Sequence, residues 1–117
     1  MSANEWTDQE KTIAEQAFAS GNKKAMEVLI RSLQELSLRL DSPESVWKFH
    51  DYLSSERYAY EGRSAFDEAN ALFSLADMVK LKLIELENLQ GLDQLKIGKI
   101  KAMSMFWSIR LRSVPCL

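Results

Sequence analysis

What this chain lacks narrows the field before any motif is read. Proline occurs twice and glycine four times in 117 residues, well below the usual share of soluble proteins, and stretches with a two-residue apolar rhythm are hard to find. That excludes a turn-rich all-β architecture. A single cysteine, Cys116, excludes an intrachain disulfide and makes a cytoplasmic compartment the simplest expectation. It is penultimate, whereas a prenylation box needs the cysteine fourth from the end. No apolar run reaches the ~18 residues of a membrane span, and Met1–Glu5 lacks a basic-then-apolar leader pattern. With one histidine and one remote cysteine, a zinc centre of three or four protein ligands is not available. No glycine-rich phosphate loop is present. The net charge of −2 and a pI near 5.4 give no support for nucleic-acid binding. Acidic residues are also absent after Asp93, while Lys96, Lys99, Lys101, Arg110 and Arg112 remain, so the C-terminal end is basic and partly apolar.

Leu, Ala, Glu, Lys and Met dominate, and these favour helices. With 46% hydrophobic residues, the expectation is an all-α protein of one domain over residues 1–117. Thr7 with Glu10 is a capping box, so a helix should begin near Thr7. Ser20-Gly21-Asn22 is its weak point. Beyond it Met26, Leu29, Leu33, Leu36 and Leu40 recur with heptad spacing. Asp41-Ser42-Pro43-Glu44 should end that helix and cap a second one running to about Glu61, with Gly62 as a left-handed stop. A third helix should start at Ser64-Asp67 and carry Ala69, Leu72, Leu75, Ala76, Val79 and Leu83 on its core side, with Phe66 and Phe73 at the edge. A fourth should start near Leu92 with Leu92, Leu95, Ile100 and Met103 on its apolar side and Lys99 falling inside that sector. Residues 7–61 then form a long stem, 64–103 a small helical head, and 104–117 a tail containing Trp107, Ile109 and Leu111 whose role is open.

A helix from Thr7 to Leu40 would be ~50 Å long, whereas a compact chain of this size is only ~35 Å across. Unless Gly21 breaks it, the helix must project beyond its own domain. Val28, Ile30 and Leu38 extend its apolar surface, which then needs a second chain to cover it. An elongated homodimer is therefore expected, with Leu33 and Leu36 in the interface.

The stretch that organises the chain is Val46-Trp47-Lys48-Phe49-His50-Asp51-Tyr52-Leu53-Ser54, followed by Arg57. On a helical wheel Val46, Phe49, Leu53 and Tyr60 form an apolar stripe. Trp47, His50, Asp51, Ser54 and Tyr58 form a second one, with Arg57 on its border. Buried packing would be the ordinary fate of Trp47 and His50. However, a large aromatic beside an imidazole, a carboxylate and a guanidinium suits a recognition surface. Asp51 and Arg57 are six residues apart and do not face each other, so an intrahelical pair between them cannot satisfy both. His50, Asp51 and Ser54 do not read as a hydrolytic triad. All sit in mid-helix, without free amides for an oxyanion, and His50 and Asp51 diverge by roughly 100°.

Trp47–Ser54 with Arg57, Gly62 downstream and Lys96-Ile97-Gly98-Lys99-Ile100-Lys101-Ala102 resemble the cyanobacterial fluorescence recovery protein family over about residues 10–103. The resemblance implies a small all-helical homodimer without enzymatic activity. Its partner would be the photoactivated orange carotenoid protein, through that protein's C-terminal domain. Binding would speed reversion to the orange form and detachment from the phycobilisome, so that energy quenching stops and antenna fluorescence recovers. By position it implies a functional patch of Trp47, His50, Asp51 and Arg57 near the dimer interface, dimer contacts at Val46 and Trp47, and head contacts at Phe73 and Lys99. It implies no cofactor, the carotenoid being the partner's. The basic tail permits peripheral contact with the cytoplasmic side of the thylakoid membrane. Two departures stand out: Lys82 occupies the place of an expected glycine helix stop, and the tail is unmatched. The competing reading is a helical dimerisation adaptor with an unrelated partner.

Overall fold

The computed structural model describes residues 5–63 and 66–106. They form four α-helices and a short 3-10 turn, with no strand among the described residues: α1 Asp8–Ser37, α2 Pro43–Gly62, α3 Ala71–Lys80, the 3-10 turn Leu86–Leu89, and α4 Gln94–Phe106.

α1 begins as its capping box dictates. The Thr7 hydroxyl accepts from the Glu10 amide, and the Glu10 carboxylate accepts from the Thr7 amide, both at 3.1 Å. It runs unbroken through Gly21 for 30 residues, about 45 Å, and unwinds at residues 38–40 rather than holding to Leu40. Gly21 is no weak point. It is buried where α1 crosses the end of α3, and a Cβ there would lie 2.7 Å from Met78 Sδ. α2 starts on a second reciprocal cap, in which Ser42 and Ser45 each bond the other's backbone amide. It doubles back along α1 to make a helical hairpin.

The expected left-handed stop at Gly62 is not used. Gly62 is the last helical residue, and the next residue, Arg63, has φ −105. Its carbonyl accepts from Asn22 Nδ2 at 2.7 Å instead, and its guanidinium reaches Asp77 at 3.8 Å. One residue thus ties α1, α2 and α3 together. α3 is shorter than its apolar pattern suggests. Ser64 lies outside the described residues, and Asp67 builds a turn by accepting from the Ala69 amide and the Asn70 side chain. Ala69 is accordingly exposed and Phe66 precedes the helix. The left-handed stop comes after α3, at Lys82 with φ 62. The Leu83 amide bonds Met78 O and the Lys82 amide bonds Val79 O, the paired bonds of a Schellman end. Leu83 is buried beyond the helix.

The core lies where the first half of α1 meets α3, the 3-10 turn and α4. Ala14, Ala17, Phe18, Leu75, Met78, Leu89, Leu92 and Ile100 fill it. Trp6 meets Phe66 edge to face at 5.3 Å between centroids, and Phe66 meets Phe18 at 6.5 Å. The second half of α1 and all of α2 project from this head, giving extents of 56 × 25 × 22 Å and a radius of gyration of 16.2 Å, against ~13 Å for a compact domain of about this length.

Candidate recognition surface

α2 lies along α1 through Ser45, Phe49, Tyr52, Glu56 and Ala59, with Arg63 following at its end; with Tyr60 at the margin, these are its least exposed positions, and the seam recurs every three or four residues. The rest of α2 faces away. On a helical wheel Val46, Leu53 and Tyr60 fall on one flank, beside Met26, Ile30 and Leu33 of the antiparallel α1. Together they give the hairpin a flat apolar side, with Val46 45% and Ile30 48% exposed. Leu36 does not join it. At 3% exposure it is enclosed within the protomer, which leaves little of it to meet another chain.

Trp47, Ser54 and Tyr58 point further round, away from α1, with Trp47 64% and Tyr58 83% exposed. Asp51 shares this outward face. His50 and Arg57 stand between it and the apolar flank. The four patch residues therefore lie along one open side of α2 but not on one stripe. Trp47 and His50 meet edge to face at 6.4 Å. Although adjacent in sequence, His50 and Asp51 bend together, Nδ1 to Oδ1 at 3.3 Å. Arg57 Nε donates to Glu61 Oε2 at 3.1 Å, one turn on. Asp51 and Arg57 are thus not paired with each other, as their spacing requires, and each has a local partner of its own. These are exposed pairs worth at most ~1 kcal/mol each, weak enough to be exchanged for a partner's groups.

Among the described residues no hydrogen bond joins Ser54 to His50, and no cluster of three or more His, Cys, Asp or Glu side chains could hold a metal. No described helix is long and apolar enough to cross a membrane.

At the head, Phe73 on α3 and Lys99 on α4 are both exposed. α4 is turned differently from its expected apolar side. Leu95 is 58% exposed and Met105 63%, whereas Lys96 is wholly buried. Lys96 Nζ donates to Glu10 Oε1 at 3.1 Å and to the Glu5 carbonyl at 2.5 Å, and it lies 5.1 Å from the centroid of the Trp6 ring. Glu10 Oε2 in turn accepts from the Asp93 amide at 2.9 Å. Burial pushes the Glu10 carboxyl up, but the amides of Asp93 and Thr7 and the Lys96 ammonium outweigh it and hold the group below its ordinary value. Sequence reading passed over this pair. Its one signal was the spacing Leu92, Lys96, Ile100, Met103, which sets the lysine within a helical run of apolar residues.

The hairpin, head and open α2 face can be set against known proteins. Residues 6–104 match the family model of the photoprotection regulator fluorescence recovery protein. The chain belongs to this family. The fluorescence recovery protein of Synechocystis sp. PCC 6803 is 26% identical over 99 residues, covering 85% of this chain and 91% of that protein. The solved structure of the Fremyella diplosiphon fluorescence recovery protein superposes with a TM-score of 0.74 at 28% identity, covering 86% of this chain and 99% of the other. The Synechocystis structure superposes with a TM-score of 0.73 at 26% identity, again over 86% and 99%. This fluorescence recovery protein homologue is therefore a member of a photoprotection regulator family with the all-helical fold of its relatives. Residues 105–117 lie outside the family match.

Proposed function

We propose that this protein is a non-enzymatic regulator that binds the photoactivated orange carotenoid protein, through that protein's C-terminal domain. Binding accelerates its reversion to the orange form and its detachment from the phycobilisome. The observation that carries this reading is the open side of α2, where Trp47, His50, Asp51 and Arg57 stand exposed inside the family-matched region. The working form is a homodimer joined through the apolar flank of Met26, Ile30, Leu33, Val46, Leu53 and Tyr60. That leaves Trp47 and Asp51 at the margin of the joint, and Phe73 and Lys99 on the heads as second contacts. The carotenoid belongs to the partner, and the regulator needs no cofactor. It works in the cytoplasm, with peripheral contact at the thylakoid surface through its basic end.

A binder shifts an equilibrium only by its differential affinity for the two states. To speed reversion it must favour the passage between them over the open form. An elongated dimer holding two separated domains of its partner raises their effective concentration. The test follows the colour relaxation of the activated carotenoid protein. Wild-type protein should accelerate it. Trp47→Ala should remove most of the effect while leaving the fold intact. Val46→Glu should give monomers that bridge poorly. A folded wild-type protein with no effect on relaxation would leave the dimerisation adaptor as the better reading. A monomeric Val46→Glu with full activity would end the bridging mechanism.

A further inference from the structure

α4 does not carry enough apolar contrast to define its own rotation. Leu95, Ile97, Ile100, Met103 and Met105 are distributed all round it on a helical wheel, and Gly98 adds nothing to either side. Turning the helix by about 100° would bring Leu95 to the centre of the core face with Lys99 beside it, and carry Ile97 and Lys96 outward, the ordinary place for a lysine. The structure has the opposite arrangement: Ile100 and Lys96 are fully buried, while Leu95 and Met105 are exposed. Something other than apolar patterning selects this rotation.

We infer that the buried Lys96–Glu10 pair, closed over by Trp6, is a positioning device that sets the rotation of α4 and thereby presents Leu95 and Lys99 at the surface of the head. The geometry is specific at every contact. Glu10 is itself fixed, because its two oxygens accept the Thr7 and Asp93 amides at 3.1 and 2.9 Å, the first at the cap of α1 and the second just before α4. Lys96 Nζ then has one place to go, between Glu10 Oε1 and the Glu5 carbonyl with the Trp6 ring alongside. Turning α4 away takes the only ammonium bonded to Glu10 among the described residues from a buried carboxylate. A buried pair is often no more stabilising than an apolar replacement of similar volume, and its best-attested use is to select one register among several that apolar packing would tolerate. Lys99 is three residues beyond Lys96, so its position on the wheel follows directly from where Lys96 is held.

The device is tested by thiol labelling in a Cys116→Ser background, with single reporters Lys99→Cys and Ile97→Cys. With the pair intact, position 99 should label faster than half-buried position 97. In Lys96→Met/Glu10→Gln, which fills the site without charge, the labelling ratio of 99 to 97 should fall by about threefold or more, as one position closes and the other opens. General loosening would instead raise both rates together. An unchanged ratio in a folded double variant overturns the inference. Should the double variant not fold, Glu10→Gln alone keeps one capping acceptor and the Lys96–Glu5 bond, and is expected to shift the ratio part of the way. No shift there overturns the inference equally. The consequence for the carotenoid protein rests on the function proposed above and is read separately. The variant should remain as dimeric as wild type and lose relaxation activity in proportion to the labelling shift. Wild-type inactivity would count against that function and leave the labelling result standing.

Discussion

The head and the hairpin solve the problem of burial in opposite ways. In the head, Leu75, Met78, Leu89 and Ile100 are fully enclosed, and even a lysine is taken in with its counter-ion. From Asn22 to Arg63, by contrast, only Leu36 and Ser45 are buried, while Val28, Ile30, Leu38, Val46, Trp47, Leu53 and Tyr58 are exposed. Two helices alone have only one mutual seam in which to hide side chains. The hairpin thus leaves most of its apolar side chains outside that seam. The head carries the enclosed core of the protomer, and the hairpin carries much of its exposed apolar surface.

The contrast is broken most directly by attacking one residue in each half. Lys96→Ala removes the cation from a buried carboxylate and leaves a void, and should cost about 3–5 kcal/mol in urea denaturation. Leu53→Ala, on the exposed flank, should cost less than ~1 kcal/mol at protein concentrations low enough to keep the chain monomeric, and more as concentration rises and a partner covers it. Equal costs in dilute solution would mean that the hairpin has a core of its own.

Acid sharpens the same comparison. Glu10 has a folded value below its ordinary 4.5, so its ionised form is favoured by folding. Its contribution is fully present above the ordinary value. It is lost as pH falls from there through the lower folded value, where both states become protonated. The expected outcome is a drop in melting temperature on the acid side of 4.5 that is smaller in Glu10→Gln, which starts less stable at neutral pH. A wild type and variant with parallel acid profiles would show that the head does not depend on this carboxylate.

Much of this architecture is written in local sequence. Capping boxes at Thr7 and Ser42 place the starts of α1 and α2, because a cap involves only residues three apart. The heptad run from Met26 reads correctly as a helix that outgrows its domain. Lys82, standing where glycine would be easier, does take the left-handed conformation of a helix end. Legibility fails where the deciding partner is distant in sequence. Gly62 looks like a stop, but the carbonyl of the next residue, Arg63, is satisfied by Asn22, forty-one residues before it. Leu36 shares a heptad stripe with Leu33, yet α2 covers the first and leaves the second half open. The rotation of α4 depends on Glu10, eighty-six residues earlier, and no periodicity within α4 reports it. At the candidate surface, Trp47 is legible as an exposed anchor because its neighbours are polar. Spacing correctly keeps Asp51 and Arg57 apart, but their bonds to His50 and Glu61 are rotamer choices that spacing alone does not report.

Glycine gives the finest test of where the molecule is tight, because two helical glycines meet opposite surroundings. Replacing either by alanine should gain up to about 1 kcal/mol of helix propensity. At Gly98, on the open side of α4, a new Cβ has nothing within 4 Å, so Gly98→Ala should raise stability by close to that amount. At Gly21 the Cβ would sit 2.7 Å from Met78 Sδ and 3.0 Å from Ile84 Cγ2. The methionine end can swing aside, but the branched Ile84 side chain is buried and has little room. Overpacking of this kind costs about 1–3 kcal/mol, so Gly21→Ala should be neutral to destabilising despite the same propensity gain. A melting temperature raised equally by both substitutions would mean that the crossing of α1 over α3 has slack. The joint between head and hairpin would then rest on the Asn22–Arg63–Asp77 contacts and not on close packing at Gly21.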